Sequence, residues 1–206
     1  MGRSVTGADT ARQASGHDIH EQDAALIRRS WHDPEAFAGL FDRYVEQIHH
    51  YVARRLGTDA ADDIVAETFL AAFRRRHSYD TERAMARPWL YGIATNLVAR
   101  HRRSEQRYLR VLHRTGMDPL PEPMADAVAA RVTAQMDERR MAKALGRLSP
   151  DDRDVLLMAA WGGLSYEEMA QALEVPIGTI RSRLHRARKK MQAALGADPT
   201  TRIQEV

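Results

Sequence analysis

Apolar residues recur at intervals of three and four along most of this 206-residue chain, and no stretch alternates with the period of two that a half-buried strand requires. Near the C-terminus, Ile177, Ile180, Leu184, Ala187 and Met191 keep that spacing without a break. A stripe of this kind is buried only against another element, so the spacing predicts an all-α protein of packed helices. Hydrophobic residues are 44% of the chain and aromatics only 6%, which points to small cores of Ala, Leu, Met and Val rather than to a β-sandwich.

Helix punctuation divides the chain. Met1 to Gln22 is polar and lacks an apolar core, so it reads as a disordered tail and not as a secretory signal. Ordered helix is expected from Asp23, with a break at Asp33-Pro34, and then through Tyr44, Ile48 and Val52 to a stop at Gly57. Thr58 is expected to cap a helix over Asp59 to Arg75, His77 to Asp80 reads as a loop, and Pro88 suits the first turn of a helix from Trp89 to about Arg103. Three prolines within Pro119 to Pro123 mark a flexible linker between two small domains. Beyond it, a helix is expected from Met136 to Gly146. Ser149-Pro150-Asp151-Asp152 starts another, which Gly162-Gly163 ends. Ser165 and Glu168 form a capping box, with Leu164 and Met169 as its apolar staple.

The unit from Tyr166 to Leu195 then reads as helix, turn, helix. Opposite the apolar stripe of its second helix lie Ser182, His185, Arg186 and Lys189, flanked by Arg181, Arg183, Arg188 and Lys190, with no acid among them. An α-helix fits the major groove of B-DNA, where Arg pairs bidentately with guanine or phosphate. Gly178-Thr179 at its start allows close approach to a phosphate. The last three basic residues also suit the negative end of a helix dipole.

Two further patterns sit in the first half. Asp59, Asp63 and Glu67 recur every fourth residue, with Asp62 beside them; this ladder fits either dipole complementarity or a partner-facing surface. Downstream, Trp89, Ile93, Asn96, Arg100 and Arg103 share one side of a helix. Stacking rings, amides and guanidinium groups together are what a single-stranded nucleic acid requires, while Trp89 is also a natural core residue.

Composition closes other routes. The absence of cysteine removes disulfides, thiolate metal sites and thiol catalysis, and no apolar run reaches the length of a membrane span. The formal net charge of +3 is small, so any affinity for polyanions rests on local clusters. His17-Asp18, His32-Asp33 and His49-His50 ahead of Asp62-Asp63 offer a metal-dependent phosphohydrolase reading, but their placement in a tail and at a helix break accounts for them as surface. A helix-turn-helix regulator that binds duplex DNA unaided is the other alternative; it would leave the acidic ladder and the Trp89 face without a use.

Together these pieces resemble the extracytoplasmic-function group of the sigma-70 family. Asp62-Asp63-Ile64-Val65-Ala66-Glu67-Thr68-Phe69-Leu70 is similar to the family's acidic helix, and Trp89 to Asn96 follows at the family's spacing. Leu148-Ser149-Pro150 with Gly178 to Arg188 is similar to its C-terminal reader. The resemblance implies a sigma2-like bundle over 23–104, a flexible linker over 105–135 and a sigma4-like helix-turn-helix domain over 136–196, with tails at 1–22 and 197–206. It implies a cytoplasmic initiation factor that is not an enzyme and needs no metal or cofactor. Its partners would be the β′ clamp helices and β flap of core RNA polymerase, promoter DNA as duplex and as single strand, and, as a further candidate, an anti-sigma factor. Asp62, Asp63 and Glu67 would bind polymerase. His77, Ser78, Tyr79 and Asp80 would hold a flipped base, and Trp89, Asn96, Arg100 and Arg103 would read the −10 element. Thr179, Arg181, Ser182, Arg183, His185 and Arg186 would read the −35 element. The linker would thread the polymerase cleft, and its acidic Asp118, Glu122 and Asp126 would either sit where nucleic acid later passes or belong to a solvated tether.

Overall fold

A computed structural model of the chain describes residues 19, 21–81, 85–115 and 140–195, with side chains of the third stretch through residue 107. The N-terminal tail up to residue 18, the proline-rich part of the linker with Asp118, Glu122 and Asp126, the start of the helix expected at Met136, and the tail from 196 lie outside these residues.

Eight α-helices and two short 3-10 turns make up the described chain, and it contains no strand. Helix α1 spans residues 21–29, so helix is already present two residues before Asp23. A 3-10 turn, Pro34–Phe37, follows at the expected break and leads into α2, Ala38–Leu56. Its buried residues Leu40, Tyr44, Ile48, Tyr51, Val52 and Arg55 trace one stripe. Gly57 ends it with φ +85° and ψ 168°, a positive φ that glycine adopts without a Cβ clash.

Helix α3 spans Ala61–Arg75, two residues shorter than expected. Thr58 does not cap it: the hydroxyl donates to Asp59 Oδ1, and the Thr58 carbonyl instead accepts from Ala61 N. Helix α4, Ala86–Thr115, runs 30 residues and overruns the boundary expected near 104. Ser104 to Thr115 holds neither Gly nor Pro, and its Glu, Gln, Arg and Leu residues are good helix formers; the chain first meets a breaker at Gly116. Helices α2, α3 and α4 pack pairwise into a three-helix bundle, with Tyr51 set edge-on to Tyr91 and Phe37 to Phe73.

The C-terminal body consists of α5, residues 140–146, α6, Pro150–Trp161, α7, Tyr166–Leu173, and α8, Ile177–Leu195. Ser149 caps α6 by accepting from Asp152 N, and Ser165 and Glu168 complete a reciprocal capping box on α7. Ile180, Leu184 and Ala187 of α8 are buried, mainly against α6 and α7.

The two bodies are docked on each other rather than only tethered. Helix α4 packs along α7, and both bodies share one buried apolar cluster. Gly92 makes the approach possible: a Cβ there would lie 2.4 Å from the Ala172 carbonyl oxygen. Arg87 of α4 pairs with Glu168 at 2.7 Å and donates to the Gly162 carbonyl, Gln171 reaches the Met85 carbonyl, and Arg55 of α2 pairs with Asp154 of α6. Nothing in the helical periodicity separates this seam from the core of each body, because its apolar residues continue the same buried cluster and its polar contacts come from long side chains.

Candidate nucleic-acid and polymerase interfaces

The acidic ladder of α3 faces solvent. The Asp62 side chain is 86% exposed and pairs with His49 Nε2 at 3.0 Å, and Asp63 is exposed beside it. Glu67 is half-exposed and paired with Arg100 of α4, which joins one predicted polymerase-binding residue to one predicted −10 residue. The same face carries apolar surface that the sequence reading missed. Leu70, one turn beyond Glu67, is 46% exposed, and Phe41 of α2 is 40% exposed with its ring edge-on to buried Phe69. An acidic rim beside exposed Phe and Leu is the composition of a protein-binding surface rather than of a nucleic-acid one. The signal for Leu70 was its place three residues after Glu67.

On α4, Asn96, Arg100 and Arg103 are exposed and Trp89 is half-buried, whereas Ile93 on the same side is only 7% exposed and belongs to the core. Of the 77–80 segment, Arg76–Ser78 forms a 3-10 turn where a loop was expected. His77, Ser78 and Asp80 are exposed on it. Tyr79 is not: it is 7% exposed and its ring lies 4.6 Å from that of Trp89, with burial and the nearby Asp23 and Asp80 charges pushing its phenol up. Tyr79 therefore backs Trp89 rather than lining an open pocket. The turn is pinned to the end of α1 by residues the sequence reading did not single out for the site. Trp31 Nε1 donates to the Arg76 carbonyl at 3.0 Å, its ring stacks on His77 at 6.0 Å, and Arg76 Nε donates to the Ser30 carbonyl.

On α8, Arg181, Ser182, His185, Arg188 and Lys189 are exposed along one face, with Thr179 half-buried at its start. Ser182 Oγ donates to the Thr179 carbonyl at 2.9 Å. Arg183 and Arg186 turn toward the N-terminus of α6. Arg183 pairs with Asp151, and Arg186 pairs at 3.0 Å with Asp152, whose side chain is 3% exposed. Burial pushes the Asp152 carboxyl up, but hydrogen bonds from Arg186 and Ser149, with Lys190 beyond, outweigh it and hold the group below the ordinary carboxylate value. The two arginines thus brace the helix-turn-helix while their neighbours stay open to a ligand.

Among the described residues no three His, Asp or Glu side chains gather as a metal site, and no helix is long and apolar enough to cross a membrane. The family model for sigma-70 region 2 matches residues 40–108, the span of α2 to most of α4, and that for sigma-70 region 4 matches residues 138–191, the helix-turn-helix body. The ECF RNA polymerase sigma factor SigW of Bacillus subtilis is 32% identical over 171 residues, covering 79% of this chain and 90% of that protein. The chain belongs to the extracytoplasmic-function (ECF) sigma factors of the sigma-70 family. The ECF sigma factor SigL of Mycobacterium tuberculosis is 31% identical over 174 residues, covering 84% of this chain and 90% of the relative. Two solved structures resemble it. CnrH bound to the cytosolic domain of CnrY has a TM-score of 0.59 at 27% identity, covering 86% of this chain and 99% of that one. The sigma factor RpoE of Bartonella quintana, bound to the anti-sigma factor NepR, has a TM-score of 0.58 at 26% identity, covering 80% and 99%. As an ECF sigma factor it directs promoter-specific transcription, and the region 2 match sets aside a lone helix-turn-helix regulator.

Proposed function

We propose that this sigma factor divides initiation among three surfaces and carries out no covalent chemistry of its own. Asp62, Asp63 and Glu67, with Leu70 and Phe41 beside them, dock on the β′ clamp helices of core polymerase, and the C-terminal body meets the β flap. Trp89, Asn96, Arg100 and Arg103 take the non-template strand of the −10 element, and the turn carrying His77, Ser78 and Asp80 holds an extruded base. Arg181, Ser182 and His185 enter the major groove at the −35 element, with Thr179 on the backbone and Arg183 and Arg186 supporting them. The carrying observation is that Asn96, Arg100 and Arg103 on α4 and Arg181, Ser182 and His185 on α8 all face solvent, with a half-buried ring at Trp89 to stack a base.

Extruding a base costs a few kcal/mol, which stacking and hydrogen bonds on α4 must offset; strand opening then follows from tighter binding of the open form, without ATP. Elements at −10 and −35 lie 25 base pairs apart, about 85 Å of duplex at about 3.4 Å per pair. Helices packed through α7 sit about 20 Å apart, two interaxial spacings. The docked arrangement therefore reads one element at a time, and engagement of polymerase and promoter requires the α4–α7 seam to part. The same reading places the protein in the cytoplasm and makes an anti-sigma segment, apolar where it meets the docking face or acidic where it meets the basic reading faces, a natural competitor. Run-off transcription on a promoter library tests it: specific transcripts should require both this chain and core polymerase, and duplex binding of full strength without polymerase would overturn it.

A further inference from the structure

At the seam, lined by none of the residues assigned to the three surfaces, lies a cavity of about 470 Å³ between the end of α2, the C-terminal part of α4, α5 and α6. Four arginines reach it, Arg54 and Arg55 from α2, Arg102 from α4 and Arg153 from α6, against one lining carboxylate, Glu105. Asp154 neutralises Arg55 from one side. Arg102 donates to the Arg55 carbonyl, and Arg153 donates to the carbonyls of Leu145 at 2.9 Å and Leu148 at 3.2 Å. Carbonyl partners orient these guanidinium groups without cancelling their charge. Burial, together with the nearby Arg55 and Arg153 cations, pushes the Arg102 pKa down, the expected mark of crowded positive charge.

Two observations point to a ligand. The Arg55 side chain is 3% exposed and its Nε is a buried donor with no acceptor, so an unmet hydrogen-bonding demand lies just behind the cavity wall, drawing negative potential toward it rather than offering a direct contact. The indole of Trp161 also lines the cavity, with the Arg54 guanidinium 5.6 Å from its ring centre. A planar apolar wall beside several guanidinium groups matches a molecule with an aromatic base at one end and phosphates at the other, and the volume falls in the range of small-molecule sites.

We propose that this cavity binds a nucleoside di- or triphosphate, whose base takes the place over Trp161 that the Arg54 guanidinium now holds and whose phosphates then bridge Arg54 and the other arginines of the two bodies. Arg54, Arg55 and Arg102 belong to the N-terminal body and Arg153 and Trp161 to the C-terminal one. Empty, the site sets cations of the two bodies against each other; filled, the anion attracts both. Ligand binding therefore favours the docked arrangement and opposes promoter engagement.

Calorimetric titration of the full chain with ATP, and separately with inorganic pyrophosphate, at about 0.15 M salt tests the site, since screening at that ionic strength removes diffuse attraction. Saturable one-to-one binding of ATP is expected, tighter than that of pyrophosphate. Arg54→Ala and Arg153→Ala should each weaken it tenfold or more, and Arg181→Ala and Lys189→Ala should leave it unchanged. ATP should quench tryptophan emission in the native protein but not in Trp161→Phe, and should lower the radius of gyration in solution scattering. Arg54 is exposed, so its variant tests the site with the fold intact, and circular dichroism checks each protein. Absence of saturable binding, equal affinity for pyrophosphate, unchanged binding in folded Arg54→Ala, or loss in Arg181→Ala equal to that in the cavity variants would each overturn the proposal. So would duplex DNA that binds through Arg54 and Arg153 and is not displaced by ATP.

Discussion

Arg186 stands where two demands meet. It lies on the solvent side of α8, half exposed, yet its guanidinium serves Asp152, a carboxylate buried at the start of α6. Truncating it leaves a buried charge with fewer partners, so Arg186→Ala should cost stability, about 1–3 kcal/mol in urea unfolding. Arg181 has no such duty: Arg181→Ala should shift stability by no more than about 0.5 kcal/mol while weakening binding to the −35 duplex by about 1–3 kcal/mol. Equal stability losses in the two variants would show that α8 does not separate bracing from reading. The carboxylate also sets a pH dependence. Because Asp152 is held below its unfolded value, its contribution is present above about pH 4 and is lost as pH falls through the lower, folded value. Urea midpoints of the native protein should therefore drop on acidification below about pH 4, and those of Asp152→Asn should start lower and drop less.

At the scale of the element, α3 and α4 each present different chemistry to different sides. Helix α4 buries Leu90, Ala94 and Val98, gives Gly92 to the seam, and turns Asn96, Arg100 and Arg103 outward. Trp89, backed by Tyr79, sits at the edge of the outward face. Trp89→Ala should lose about 1–3 kcal/mol of affinity for a −10 single strand in holoenzyme, the worth of one base stack. Asn96→Ala should lose affinity for that strand while leaving the thermal midpoint of the free chain unchanged. Helix α3 makes the complementary case: Asp63 is exposed on it. Reversing its charge, Asp63→Arg, should lower retention in a pull-down with core polymerase and leave duplex binding by the C-terminal body intact.

For the molecule as a whole, the seam is the decisive feature, since the proposed reading takes the same chain from the docked arrangement to one extended over about 85 Å of promoter. The close approach at Gly92 is its most sensitive point. A methyl at this position meets the Ala172 carbonyl at 2.4 Å, and backbone on both sides leaves nothing flexible to yield. Gly92→Ala should therefore part the two bodies, raising the radius of gyration in solution scattering while each body keeps its helicity. Because alanine favours helix over glycine, α4 itself should not weaken. An unchanged scattering profile would mean that the seam tolerates the added carbon and does not govern closure.

Much of this protein was legible before any coordinates. Helix starts at Ser149 and Ser165, the stop at Gly162 and the stripe of α8 are local matters, decided by hydrogen bonds and spacing within a few residues. The outward basic face followed from the same periodicity. Tertiary structure alone decided that Tyr79 lies beneath Trp89, that Arg183 and Arg186 turn to the acids of α6, and that Arg87 and Arg55 bind the two bodies together. A charged side chain long enough to reach either solvent or a neighbour reads the same in sequence, and only the position of a partner distant along the chain determines which it meets.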